Sequence, residues 1–108
     1  MGVYELAAAL ANDLHRAIVR WPSFDRWSVG MQLMRSSDSI GANLAESSGR
    51  WHAKDKRRFL IMARGSLYET EHWMSQAEAR GLLPPGSTDE LSELAWALAG
   101  LIKKTTPG

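Results

Sequence analysis

Between Phe59 and Ala77 the residues Phe59, Ala63, Ser66, Thr70, Trp73 and Ala77 recur at alternating spacings of four and three, with Leu60, Leu67 and Met74 beside them. This pattern puts small and apolar side chains on one stripe of an α-helix and has no reading as a strand, whose period is two. Such a seam needs other helices to cover it, which points to a bundle. The helix carrying it is predicted from Ala53 or Lys54 to Arg80, with Gly81 ending it and the run Leu83-Pro84-Pro85-Gly86-Ser87 breaking the chain.

The rest of the chain supplies the partners. Val3, Leu6, Leu10, Leu14, Ala17, Ile18 and Trp21 share one face, which predicts a first helix over Val3 to Trp21, stopped by Pro22. Ser23 is then placed to cap a second helix, about Phe24 to Ser48, by accepting a bond from a free amide. Its stripe of Trp27, Gly30, Leu33, Met34, Ser37, Ile40, Gly41, Leu44 and Ser48 is rich in small residues. Gly30 and Gly41 each cost about 1 kcal/mol of helix propensity, so close backbone approach is expected at both. Gly49 is expected to close this helix in the left-handed conformation.

Ser87 and Glu90 have the spacing of a capping box, which starts a fourth helix with Leu91, Leu94, Ala95, Leu98, Leu101 and Ile102 on its core face. Lys103 and Lys104 suit its C-terminal dipole. The fold class is therefore all-α, an up-and-down antiparallel four-helix bundle. A single domain is expected over residues 1–104, with 105–108 a frayed tail. A chain of 108 residues buries roughly 60 to 68% of its unfolded surface, so association would add useful stability.

Several chemistries are excluded at this level. There is no cysteine, hence no disulfide, thiolate metal site or cysteine nucleophile. The first twenty residues lack a basic leading region, and Glu5, Asp13, His15, Arg16 and Arg20 interrupt their apolar run. Neither a signal peptide nor a membrane span fits them, and a cytoplasmic protein is expected. Glu69-x-x-His72 has the spacing of a di-iron ligand pair, but no second Glu-x-x-His exists on another helix, so no metal is expected. Ser66 lacks the strand-to-helix turn and second glycine of a nucleophile elbow, and is expected to bond a carbonyl one turn back. No cofactor and no catalytic residue are predicted, and the chain reads as a non-enzyme.

Gln32-x-x-Arg35, Ser39-Ile40-x-x-Asn43-Leu44-Ala45-Glu46, Gly49-Arg50 and Arg58-Phe59-Leu60-x-x-Ala63-Arg64-Gly65-Ser66-Leu67-x-Glu69 resemble a known core pattern. It is that of the four-helix-bundle proteins encoded in intervening sequences of bacterial large-subunit ribosomal RNA genes. Relatives include the accessory variability determinant of diversity-generating retroelements. The resemblance implies a small cytosolic bundle that assembles as a homopentamer and has no enzymatic activity. In the retroelement branch it implies binding to nucleic acid and to a reverse transcriptase. The chain departs from the pattern at Gly41, where proline is common, at Ser47, where glycine is usual, and at Ser36, Ser37 and Asp38, which make an apolar patch polar.

Charge locates the functional candidates. Net charge is only +1, yet six cations stand against one acid between Arg50 and Arg64, and six acids against one cation between Glu69 and Glu93. The turn interleaves Arg50, Lys54, Lys56, Arg57 and Arg58 with Trp51 and His52, a mixture suited to phosphate contact and to stacking on unpaired bases. Cations in the first turn of a helix oppose its dipole, an arrangement that an external anion would relieve. Arg50, Trp51, Lys54, Arg57, Arg58 and Arg64 are therefore the predicted contacts for RNA or DNA. A hairpin turning near Trp51 also sets Arg35 opposite Glu69, and Glu46 opposite Lys56 to Arg58, as register-fixing ion pairs. Ile61, Tyr68 and Trp96 project away from their core stripes, which predicts a surface for further subunits. The expected role is a homo-oligomeric accessory protein that binds nucleic acid. The alternative is a protein scaffold or accessory ring for a partner enzyme such as a reverse transcriptase.

Overall fold

The computed structural model describes residues 1–105, an elongated body of 48 × 22 × 21 Å. Among the described residues it is all-helical, with four long helices and no strand. We label them α1 (Val3–Ile18), α2 (residues 23–48), α3 (Ala53–Ala79) and α4 (Ser92–Lys104), the last preceded by a short 3₁₀ turn, Ser87–Leu91. The most extensive packing is between α2 and α3; α1 lies on α2, α4 on α3, and α4 also meets α1. The core is shared by all four, with Leu33, Ile40, Leu60, Leu67, Met74, Leu94 and Leu98 almost wholly buried.

α1 stops three residues before the predicted Trp21, because the amides of Arg20 and Trp21 bond back to Ala17 and Ile18 and tighten the last turn. Trp21 is buried all the same, at 8% exposure. α2 contains a feature the periodicity did not announce, a π-helical turn over Arg26–Gly30 between Ser23–Asp25 and Met31–Ser48. The Ser28 hydroxyl donates to the Phe24 carbonyl at 2.7 Å within it. A Cβ on Gly30 would lie 3.0 Å from Ile18 Cγ2 and 3.1 Å from the Asp25 carbonyl, so the close approach expected at Gly30 is present. At Gly41 a Cβ would only touch the Tyr4 ring at 3.9 Å, an ordinary contact.

Counted back from Leu33 at about 100° per residue, Val29 lies about 40° from the stripe set by Leu33, Ile40 and Leu44 and Trp27 about 120° from it, so the expected stripe is too wide at this end. Trp27, expected inside, is 65% exposed, and Val29 is buried in its place. Ser23 does not cap α2; Pro22 precedes the helix in an extended conformation and no side chain caps the end.

Two predicted caps differ as well. Gly49 is right-handed, at φ −85°, because its amide and that of Arg50 close the turn by short-range bonds to Ala45, Glu46 and Ser47. The left-handed stop lies at Gly81, φ +73°, where Leu82 N–H bonds to Ala77 O at 2.8 Å and Gly81 N–H to Glu78 O at 3.1 Å, a Schellman closure of α3. The Ser87/Glu90 capping box does not form. The Ser87 hydroxyl donates to the Pro84 carbonyl, and the Thr88 amide is satisfied from another helix by Glu78 Oε1 at 2.9 Å. Of the expected frayed tail, Thr105 is bonded to Leu101 through both its amide and its hydroxyl, and 106–108 lie outside the described residues.

Cross-helix bonds fix α2 and α3 as an antiparallel pair. Arg35 pairs with Glu69, Thr70 donates to Ser36 at 3.1 Å, Ser39 and Ser66 share a bond of 2.9 Å, and Ser47 donates to the Lys56 carbonyl at 2.9 Å. Ser36, Ser37 and Thr70 are wholly buried. Their hydroxyls are satisfied by Leu33 O, Met34 O and Ser66 O, so the polar patch costs little desolvation. Short side chains here also let the two helices approach closely.

Candidate functional site

The site is assembled at the turn between α2 and α3. His52 precedes α3 in an extended conformation, and among the described residues no side chain caps the helix, so its first amides face outward from the helix start. Lys54, Lys56, Arg57 and Arg58 follow within two turns, with Asp55 the one acid among them. Trp51 stands at the tip with 91% of its surface exposed, free to stack on a ligand.

At about 100° per residue, Lys54, Arg57, Ile61, Arg64 and Tyr68 fall along one outward sector of α3, with Arg58 at its edge. Lys54, Arg57 and Arg58 line an open groove with Ile61 and Met62. Arg57 is half-buried, and its Nε is fully buried with no hydrogen-bond partner among the described residues. An external anion would meet the exposed terminal nitrogens of such a cation and not its buried Nε. Arg64 continues the sector one and a half to two turns further on and is also half-buried.

Two guanidinium groups stack on the Phe59 ring, Arg50 at 4.6 Å and Arg58 at 4.7 Å. Each such contact is worth about 0.5–1 kcal/mol at an exposed site and orients the guanidinium plane. Phe59 is thus a positioning residue that sequence reasoning assigned only to the seam. Adjacency to Arg58 was visible in the sequence; the reach of Arg50 across the turn was not.

The ion pairs divide. Arg35 and Glu69 meet, and Glu69 also accepts from Trp73 Nε1 at 3.2 Å. Glu46 does not cross to Lys56 or Arg58; it pairs with Arg50 one turn along and onward, while Arg58 lies 3.9 Å from Asp55. The turn brings Arg50 within reach of Glu46 before α3 begins, which satisfies the carboxylate locally.

The outward residues also divide. Tyr68 and Trp96 are exposed, at 61% and 83%. Ile61 is half-buried and packs against the core, which corrects its placement as a fully outward residue. Sequence reasoning missed a second exposed apolar stripe, Phe24, Trp27 and Met31, on the face of α2 away from Leu33. The seam of α3 is centred one residue from the predicted line: Leu60, Ala63, Leu67, Thr70, Met74 and Ala77 are buried, while Phe59, Ser66 and Trp73 flank them. Ser66 donates to the Met62 carbonyl one turn back, and His72 sits exposed beside Trp73.

Among the described residues no cluster of three or more His, Asp or Glu could hold a metal ion, and no helix is long and apolar enough to cross a membrane. No curated protein matches the chain. The family model described as 23S rRNA-intervening sequence protein matches residues 1–104. The match covers all four helices, the turn and the basic sector of α3, and the chain belongs to the 23S rRNA-intervening sequence protein family.

Proposed function

We propose that this protein is a non-enzymatic accessory protein of the cytoplasm, an up-and-down antiparallel bundle that self-associates and presents repeated basic faces to RNA or DNA. The circuit of contacts from α1 through α4 and back to α1 supports that bundle arrangement. The observation that carries the nucleic-acid reading is the basic sector at the start of α3. Arg57 is held there half-buried beside Lys54 and Arg58 along one open groove, at a helix start that no side chain caps. Trp51 adds a stacking surface for unpaired bases.

Self-association rests on the exposure of Tyr68 and Trp96, and five as the number of subunits rests on the resemblance to the family's pattern. A ring of copies would multiply a weak site by avidity. Light scattering at micromolar concentration should give a mass several times 12 kDa, and Trp96→Ala should lower it. A wild-type particle of 12 kDa refutes self-association.

Filter binding of a labelled single strand at two salt concentrations tests the basic face. Four phosphate contacts per chain, at Lys54, Arg57, Arg58 and Arg64, give a slope of about −2.8 in log affinity against log salt, or roughly a 50-fold loss from 50 to 200 mM. Arg57→Glu with Arg58→Glu should halve that slope or abolish binding. A slope unaffected by the double substitution removes this face from the interface.

A second reading is favoured by the exposed stripe of Phe24, Trp27 and Met31 at the end of α2 remote from the basic turn. In it the protein is a scaffold or accessory ring for a partner enzyme such as a reverse transcriptase. Partner capture that survives the Arg57/Arg58 reversal and is lost with Trp27→Ser would select it.

A further inference from the structure

The buried seam of α3 continues one rung further than its apolar residues. Lys56, Leu60, Ala63, Leu67, Thr70, Met74 and Ala77 alternate by four and three, and all but Lys56 are buried. Lys56 therefore belongs to the core-facing stripe and not to the outward sector of Lys54, Arg57 and Arg58. Lys56 is half-buried, so its stem lies along the apolar stripe while its ammonium keeps part of its hydration and stays open to an anion. Among the described residues no carboxylate pairs with it.

What Lys56 meets is an apolar cavity of about 510 Å³ between the N-terminal ends of α1 and α3 and the C-terminal ends of α2 and α4. Its walls include Val3, Tyr4, Leu44, Leu60 and Leu101. Leu44 and Leu60 are 5% and 2% exposed, so the cavity reaches the core. The hydroxyls on its wall are already spent as donors: Ser47 on Lys56 O, Ser48 on Ala45 O, and Thr105 on Leu101 O. The Lys56 ammonium and the Tyr4 hydroxyl are left with donors to offer. Small-molecule sites are mostly apolar cavities of about 300–1,000 Å³ with a few convergent polar groups, which matches this one in size and chemistry.

We propose that the cavity binds a small amphipathic carboxylate, its aliphatic or aryl body against Leu44, Leu60 and Leu101 and its anionic head on Lys56. The unpaired ammonium at the end of an apolar seam selects a single negative charge joined to an apolar body over a neutral or cationic amphiphile. This site stands independently of the nucleic-acid reading, since it uses neither Arg57 nor Arg58.

Titration calorimetry on the full chain, below micellar concentrations, tests it with decanoate, naphthoate and uncharged decanol. One carboxylate should bind per chain, about tenfold or more tighter than decanol, and the tighter of decanoate and naphthoate identifies the body as aliphatic or aryl. Lys56→Gln, with helicity checked by circular dichroism, should lose that preference while keeping the decanol affinity, and Lys56→Arg should retain it. Failure of both carboxylates to bind at millimolar concentration overturns the proposal. So does equal affinity for carboxylate and alcohol in the wild type, or carboxylate binding unchanged in Lys56→Gln.

Discussion

Glycine to alanine at two helical positions should have opposite effects on stability, and the difference isolates the close contact of α1 with α2. Gly65 lies inside α3, and a Cβ there meets nothing within 4 Å. Gly65→Ala should stabilise the fold by about 1 kcal/mol through helix propensity and a less flexible unfolded chain. That corresponds to a rise in Tm of about 4–8 °C for a domain near this size. Gly30→Ala gains a similar propensity term but places the new Cβ 3.0 Å from Ile18 Cγ2 and 3.1 Å from the Asp25 carbonyl. Ile18 is 4% exposed and cannot swing away, and the carbonyl belongs to the backbone at the start of the π-helical turn. Relieving both contacts costs about 1–3 kcal/mol as overpacking. Gly30→Ala should therefore fall about 1–3 kcal/mol below Gly65→Ala, and at or below wild type. Urea unfolding at one protein concentration, with the slopes compared to confirm similar unfolding, measures both. If Gly30→Ala stabilises as much as Gly65→Ala, the contact with Ile18 does not constrain the position and the account of the π-helical turn fails.

The buried hydroxyls between α2 and α3 give a second prediction. Thr70→Val keeps the volume but removes the donor to Ser66 O and Ser36, and should cost about 1–3 kcal/mol in the same assay, while Thr70→Ser should lose less. An unchanged midpoint for Thr70→Val would mean the hydroxyls serve only as small spacers. Glu69→Gln keeps an acceptor for Trp73 but removes the ion pair with Arg35, whose side chains are 57% and 38% exposed. It should cost only about 0.2–1 kcal/mol, and the loss should shrink in molar salt. A larger, salt-independent loss would show that Glu69 carries more than the pair.

The contrast between Lys56 and its neighbours bears on how a short basic run should be read. By composition the cations from Lys54 to Arg58 form one cluster. On the helix they separate: Lys54, Arg57 and Arg58 line the outer groove, and Lys56 lines the apolar cavity. Arg50 is drawn onto Phe59 and Glu46. Counting charges therefore overstates how many cations one polyanion can engage at once.

The sequence alone determined the helical class, the family pattern and the antiparallel setting of α2 against α3 with Arg35 opposite Glu69. Each follows from spacing, and spacing survives folding wherever the helix keeps 3.6 residues per turn. The exposure of Trp27 and burial of Val29 were also legible, since Val29 stands one turn before Leu33 and Trp27 about 120° off that stripe, whereas only the tertiary structure decided the π-helical turn over Arg26–Gly30. It also decided the capping at Thr88 by Glu78, the right-handed end at Gly49 and the stacking of Arg50 on Phe59. At Thr88 and Arg50 the partner comes from another helix or from across a turn, while at Gly49 the last turn closes on its own carbonyls, and a local motif such as Ser87-x-x-Glu90 holds no information about such competitors. Lys56 stands between the two cases. Its place on the seam was legible in the spacing, but the cavity it faces exists only where the ends of four helices meet.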